Sequence, residues 1–161
     1  MSIRLWSMAT PIGPWTVVCD DDVVVVSGFQ SMQDTVKRLP PGLSEPTSVP
    51  DLGTISAAVR AYVDGQVDAL DRIPVSQSGG PFRQEVWRVM REIPAGETWS
   101  YTELATKAGK PSAVRAAASA CAQNMVAPFV PCHRVVRSDG SLGGYYYGLP
   151  AKEWLLAHER A

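Results

Sequence analysis

The four residues QSGG, at 77 to 80, divide a chain whose hydrophobic spacing differs on either side of them. Before them come IRLWSMA, WTVVCDD and VVVVSGF, rich in β-branched and aromatic residues and separated by TPIGP and by aspartates. Such runs, broken by Gly, Pro and Asp, predict a strand meander that forms a small sheet. After QSGG, Phe82, Val86, Val89, Met90 and Ile93 share one helical face until Pro94 and Gly96 stop it. The change of period makes QSGG the boundary between two lobes, residues 1–78 and 79–161.

Within the first lobe, KRLPPGLSEPTSVPD is a proline-rich connection. Thr54 or Ser56 is placed to cap a short helix through ISAAVRAYVDG that ends at Gly65, and DRIPVS reads as a returning strand. In the second lobe Ser100 opens YTELATKAG with Glu103 three residues on, a capping box, and Gly109 closes the helix. Ser112 is expected to cap the next, AVRAAASACAQN. Two short helices joined by about three residues containing Gly and Pro have the form of a helix-turn-helix. The second is nearly bare: Ala113, Ala116, Ala117, Ala118, Ser119, Ala120 and Ala122 line it, and Arg115 is its only charge. A helix this smooth packs closely against backbone, either of another helix or of a nucleic-acid groove.

Composition removes several alternatives. No apolar run approaches the roughly 20 residues that span a bilayer, and the opening MSIRLWSMATPIG lacks the basic start and long apolar stretch of a secretory signal, so a cytoplasmic protein with no membrane partner is expected. Three cysteines, Cys19, Cys121 and Cys132, form no paired framework and are expected to be reduced. With only His133 and His158 as imidazoles and no C-x-x-C, no compact zinc site is expected. Charge is uneven: −4 over residues 1–78 and +3 over 79–161, a basic half compatible with phosphate contacts.

The chemistry concentrates in FVPCHRVV, residues 129–136. Val130, Val135 and Val136 read as buried strand, which carries Cys132, His133 and Arg134 to a core where polar groups need partners. Around it stand SYTELA, then R-A-x-x-x-A, then Asn124 before VPCHRVV, then SDGSLGGY and KEWLLAHE, all in register over residues 79–160. With these blocks the chain resembles the O6-alkylguanine-DNA alkyltransferases, and more loosely so in its N-terminal lobe.

That resemblance implies a two-lobed α/β fold, a ribonuclease H-like sheet lobe followed by a mostly helical lobe with a helix-turn-helix. It implies DNA repair by direct, stoichiometric transfer of the alkyl group from O6-alkylguanine, with O4-alkylthymine a possible second substrate, onto the protein's own Cys132. It further implies an enzyme that turns over once, acts as a monomer on the minor groove of double-stranded DNA, and uses no cofactor or metal. Alkyl transfer needs a thiolate, and a free cysteine is only a few per cent ionised at neutral pH. The resemblance makes His133 the base, acting through a water, and Glu159 the group that orients it, which is the logic of a triad. Tyr101 matches the tyrosine that protonates the departing base, and Asn124 the asparagine that ties the active-site turn together. Substrate contacts are expected from the backbone carbonyls of Cys132 and Val135 and from Tyr145, Tyr146, Tyr147 and Lys152. Reaching the lesion requires extruding its nucleotide, with Arg115 filling the vacated stack and Ser112, Ala116, Ala118 and Ser119 on the same helix meeting DNA.

Four departures stand out. Asn124 is followed by Met125 where the family commonly has proline; Ala118 and Ser119 stand where glycines are frequent; residues suited to the zinc site of some members are missing; and the usual Gly-Tyr-x-Gly-Gly loop reads Gly144-Tyr145-Tyr146-Tyr147-Gly148. If Tyr146 or Tyr147 turns inward, the pocket accepts methyl better than benzyl. Three rival readings are a damage sensor without an acceptor, disfavoured because Cys132 is present, a Cys-His hydrolase with multiple turnover, and a DNA-binding regulator indifferent to alkylation.

Overall fold

The computed structural model describes residues 2–161; Met1, in the opening stretch read above, lies outside them. It forms two compact units. The first runs through Gln77 and takes in Met125–Phe129; the second comprises Ser78–Asn124 and Val130–Ala161.

The first unit is built on the strands β1 (Ile3–Thr10), β2 (Gly13–Asp20) and β3 (Val23–Gly28), an antiparallel meander. The short β4 (Thr47–Ser48) adds to β1 in parallel, giving the order β3-β2-β1-β4. Gly13 (φ +101°) and Asp21 (φ +51°) turn the chain between strands; Asp tolerates the left-handed region that a β-branched residue would not. Successive side chains on a strand face opposite ways, so the central strand β2 builds two cores. On one face Trp15 packs on Phe29, Tyr62 and Phe129, with centroids 5.2, 5.8 and 6.1 Å away. On the other, Val18 joins Ile3, Leu5 and Val26, flanked by Met32 and Met125. Helix α1 (Met32–Val36) follows β3, and helix α2 (Thr54–Val63) buries Ile55, Val59 and Tyr62, spaced four and three apart.

Neither Thr54 nor Ser56 caps α2. The N-cap is Gly53, with no side-chain bond, because Ser56 Oγ is already inside the first turn and accepts from Leu52 N. DRIPVS forms no strand; only Val75 bridges, to Val24.

The second unit contains α3 (Pro81–Met90), β5 (Trp99–Ser100), α4 (Tyr101–Lys107), α5 (Val114–Ala122), β6 (Val135–Val136) and α6 (Leu149–Arg160). Helix α3 buries Val86, Val89 and Met90 as its spacing predicts, and also Trp87, whose Nε1 donates to Ala120 O on α5 at 2.8 Å. Ser100 and Glu103 make the expected capping box on α4, and Gly109 (φ +89°) follows its end. Ser112 does not cap α5. Ala113 N donates to Lys110 O, a turn that carries the chain past Ser112, so α5 begins at Val114 with Ala113 as an N-cap lacking any side-chain bond. The connection is therefore residues 108–113, longer than the spacing of Gly and Pro indicates. β5 and β6 pair in parallel, Trp99 with Val135 and Ser100 with Val136, which brings the start of α4 to the segment that follows Cys132.

Candidate active site

Residues Cys132–Arg134 form a single turn of 3-10 helix, not the strand that the flanking valines predict. Pro131 (φ −85°, ψ 66°) sits in an inverse γ-turn whose hydrogen bond runs from Cys132 N to Val130 O at 2.9 Å. Asn124 Nδ2 donates to the same carbonyl at 2.8 Å, and the Asn124 side chain also bonds the Cys132 thiol. In a 3-10 turn successive side chains are spread about 120° apart, so Cys132, His133 and Arg134 fan out instead of alternating between two faces. All three are buried.

The last turn of α6 gathers two of them. Glu159 Oε2 accepts from His133 Nε2 at 2.8 Å, and Arg134 grips the same carboxylate through Nε at 2.8 Å and Nη2 at 2.9 Å, while its Nη1 donates to Ile93 O at 2.8 Å. Burial alone acts to raise the Glu159 carboxyl, but the bonds from His133 and Arg134 outweigh it and hold the group well below the usual range. An ionised carboxylate only accepts, so Nε2 carries the imidazole proton and Nδ1 is left with its lone pair. Nδ1 is buried and has no hydrogen-bond partner. Burial also lowers the pKa of His133, against the pull of Glu159, so the ring rests neutral. Gly96 (φ +90°) allows the end of α6 this close: a Cβ there would stand 3.3 Å from Glu159 O.

Burial pushes the Cys132 thiol up, opposed by the Asn124 hydrogen bond and by the charge of Lys152, so at rest it is a protonated thiol. Tyr101, the first residue of α4, is half-buried, its pKa pushed up to about 12, first by burial and then by the thiols Cys121 and Cys132. It keeps its proton at neutral pH and can donate it. Its hydroxyl faces Gly143 (φ +74°), where a Cβ would lie 3.1 Å away, so glycine there keeps room for the phenol.

Two of the expected substrate contacts already have partners within the chain. Lys152 is fully buried, and its three donors go to the backbone carbonyls of Val135, Leu142 and Gly144, at 2.8, 2.5 and 3.3 Å. With every N–H so committed it ties the loop before Tyr145 to the segment that follows Cys132. Val135 O, accepting from Lys152, and Cys132 O, accepting from Val135 N, each keep one lone pair. Tyr146 does not turn inward: it is 62% exposed and packs edge-on against Tyr147 at 4.9 Å. Tyr147, half-buried between Tyr146 and Tyr145, is the ring left to shape the loop.

On α5, Arg115, Ala116 and Ser119 are exposed, Ala117 and Ala120 are buried and Ala118 is intermediate; Ser112, exposed as well, lies in the turn before the helix. The spacing of three and four puts the exposed ones on a single face, beside a groove that Ala116 and Ser119 line with Gly80, Pro81, Phe82 and Arg83. Arg134 is the functional residue that the site assignment from sequence lacks. Its signal was its place in Cys-His-Arg, a guanidinium carried into a core with no acid nearby in sequence. Among the described residues no group of three or more His, Cys, Asp or Glu could hold a metal ion.

A buried thiol, a neutral imidazole oriented by a carboxylate, and a phenol that holds its proton are the parts that cysteine-based group transfer needs. Residues 81–161 match the family profile of the 6-O-methylguanine DNA methyltransferase DNA-binding domain. The methylated-DNA–protein-cysteine methyltransferase of Shigella flexneri is 36% identical over 158 residues, 94% of this chain and 92% of that protein. The crystal structure of Mycobacterium tuberculosis O6-methylguanine methyltransferase superposes with a TM-score of 0.82 at 31% identity, covering 98% of this chain and 93% of that one. A structure of the M. tuberculosis protein in complex with DNA matches with a TM-score of 0.81 at 30% identity, over 98% and 92% of the two chains. The chain belongs to the O6-methylguanine-DNA methyltransferase family.

Proposed function

We propose that this chain repairs DNA by moving the alkyl group of O6-alkylguanine onto Cys132, once per molecule. The observation that carries this is the 3-10 turn that buries the Cys132 thiol one residue before His133, whose Nε2 is fixed by Glu159 and whose Nδ1 is an unpartnered acceptor. In the reaction the Cys132 proton passes through a water to His133 Nδ1. The thiolate attacks the alkyl carbon, the S–C bond forms as the C–O6 bond breaks, and the guanine leaves while Tyr101 supplies a proton to its ring. The product is a thioether, which no group of the site can cleave, so the protein is consumed. Glu159, held as an anion by Arg134, stabilises the imidazolium formed at the transfer.

The second unit is the DNA-binding and alkyl-acceptor lobe. Helices α4 and α5 act as a helix-turn-helix, with the exposed face of α5 in the minor groove and Arg115 taking the place of the extruded nucleotide. The bareness of that face supports this reading: Ala116 and Ser119 present little bulk to a backbone approaching them. The order β3-β2-β1-β4, with a parallel fourth strand, supports a ribonuclease H-like first unit. The protein works as a monomer, no cofactor takes part, and no described helix is long and apolar enough to cross a membrane.

The test is incubation with duplex DNA carrying one O6-methylguanine. Restored guanine should appear in amounts limited to one per chain, however long the reaction runs. Continued turnover, or release of methanol, contradicts the proposal.

A further inference from the structure

β3 pairs with β2 along one edge, and two separate stretches of chain bond along the other. Ser76 N donates to Val24 O at 2.9 Å, and Val24 N to Pro74 O at 3.0 Å. Further along the same strand Ser27 N donates to Met125 O at 2.8 Å, and Ser27 pairs in parallel with Val126. The first stretch leaves the edge at Gln77 and the second joins it at Met125. The side chain of Gln77 connects them: its Oε1 accepts from Met125 N at 2.9 Å, as a ladder carbonyl would. All these groups belong to the first unit.

We propose that Gln77 is a positioning residue for alkyl transfer, fixing the start of the segment that leads to Cys132. The proposal rests on Cys132 as the acceptor. The N–H that Gln77 holds is that of the Asn124–Met125 peptide, and a peptide plane includes the Cα atoms on both sides. Holding it therefore orients the Cα of Asn124, the residue whose amide bonds Val130 O and the Cys132 thiol. A proline at 125 would fix φ by its ring and have no N–H to satisfy. Methionine leaves φ free and adds a donor, and Gln77 restrains both.

The experiment measures single-turnover transfer from duplex DNA carrying O6-methylguanine by the full chain, with melting temperature and DNA affinity followed in parallel. Gln77→Leu removes the acceptor and should slow transfer about fivefold, the worth of one ordinary hydrogen bond, with DNA affinity unchanged. Gln77→Glu keeps an acceptor oxygen and should retain the wild-type rate. In a Met125→Pro background, where the donor is gone, adding Gln77→Leu should cost nothing further. A Gln77→Leu protein that melts earlier but reacts at the wild-type rate per folded molecule overturns the proposal. So does the same slowing in both backgrounds, or a Gln77→Glu protein as slow as Gln77→Leu. A wild-type chain that accepts no methyl overturns the acceptor reading itself, and separates that failure from this one.

Discussion

Replacing Glu159 by glutamine changes one oxygen to an amide nitrogen in a site where three N–H groups converge on the carboxylate. With its oxygen in the Oε2 place Gln accepts from His133 Nε2 and Arg134 Nη2 and its NH2 faces Nε; with its oxygen in the Oε1 place it accepts from Nε alone. Nε meets Oε1 while Nη2 shares Oε2 with His133 Nε2, so in either orientation of the amide one N–H of Arg134, which cannot give up a proton, faces the NH2. In both orientations the imidazolium that forms when His133 takes the thiol proton loses the anion that stabilises it, so His133 becomes a poorer base. Two consequences follow, with different magnitudes. Leaving a buried guanidinium without its counter-charge costs about 3–5 kcal/mol, which for a chain of this size lowers Tm by roughly 6–20 °C. A base so weakened leaves transfer to the fraction of thiol that ionises unaided, a few per cent or less at neutral pH, so the rate should fall by about 30-fold or more. Because the remaining reaction depends on spontaneous ionisation, it should climb about tenfold per pH unit on the alkaline side, and the gap from wild type should close. The assay is single-turnover methyl transfer from pH 6 to 10, at a temperature below the variant's melting transition. A wild-type to variant rate ratio that does not change with pH would remove Glu159 from the proton path, and an unchanged Tm would refute its pairing with Arg134.

Wild-type stability should fall in two steps on acidification. Buried neutral His133 has its pKa lowered from 6.5, so its contribution is present above that value and is lost as pH falls below it; Glu159 contributes above 4.5 and is lost below, and urea titrations across pH 3 to 8 should show both. Lys152→Met leaves the carbonyls of Val135, Leu142 and Gly144 without their donor at about 1–3 kcal/mol each, so thermal melting should drop by roughly 6 °C or more and transfer should slow; an unchanged melt contradicts the tether. Arg115→Ala should slow repair in duplex DNA much more than reaction with the free base, whereas equal loss on both makes Arg115 structural. Tyr147→Gly should speed transfer from O6-benzylguanine selectively, and Tyr146→Ser, at an exposed ring, should change little; equal effects on methyl and benzyl transfer discard the gate.

The meander of the first unit and the helices of the second were legible because period, turn residues and caps agree locally, as at Ser100 with Glu103. The acceptor turn was not. Val130, Val135 and Val136 have strand propensity, but Pro131 and the Asn124 bond to Val130 O bend the chain into a γ-turn and a 3-10 turn. Cap positions failed where the chain had a second option: Ser112 was bypassed by the turn from Lys110 to Ala113, and Ser56 bonded within the first turn of α2. Segment 125–129 joins the first unit although its neighbours in sequence belong to the second, a long-range exchange that no local pattern announces. In the site, the motif named Cys132 and His133. That Arg134 shares Glu159 depends on the approach of α6, and that Lys152 is spent on carbonyls depends on the path of the loop before Tyr145.

The central claim is that Cys132 receives the alkyl group, and peptide mapping by mass spectrometry tests it most directly. After reaction with duplex DNA carrying isotopically labelled O6-methylguanine, the peptide spanning Cys132 should carry one labelled methyl group in place of its thiol proton. Cys132→Ser should bind the same DNA and carry none. Label on Cys121 or Cys19, or label retained by Cys132→Ser, would contradict the account.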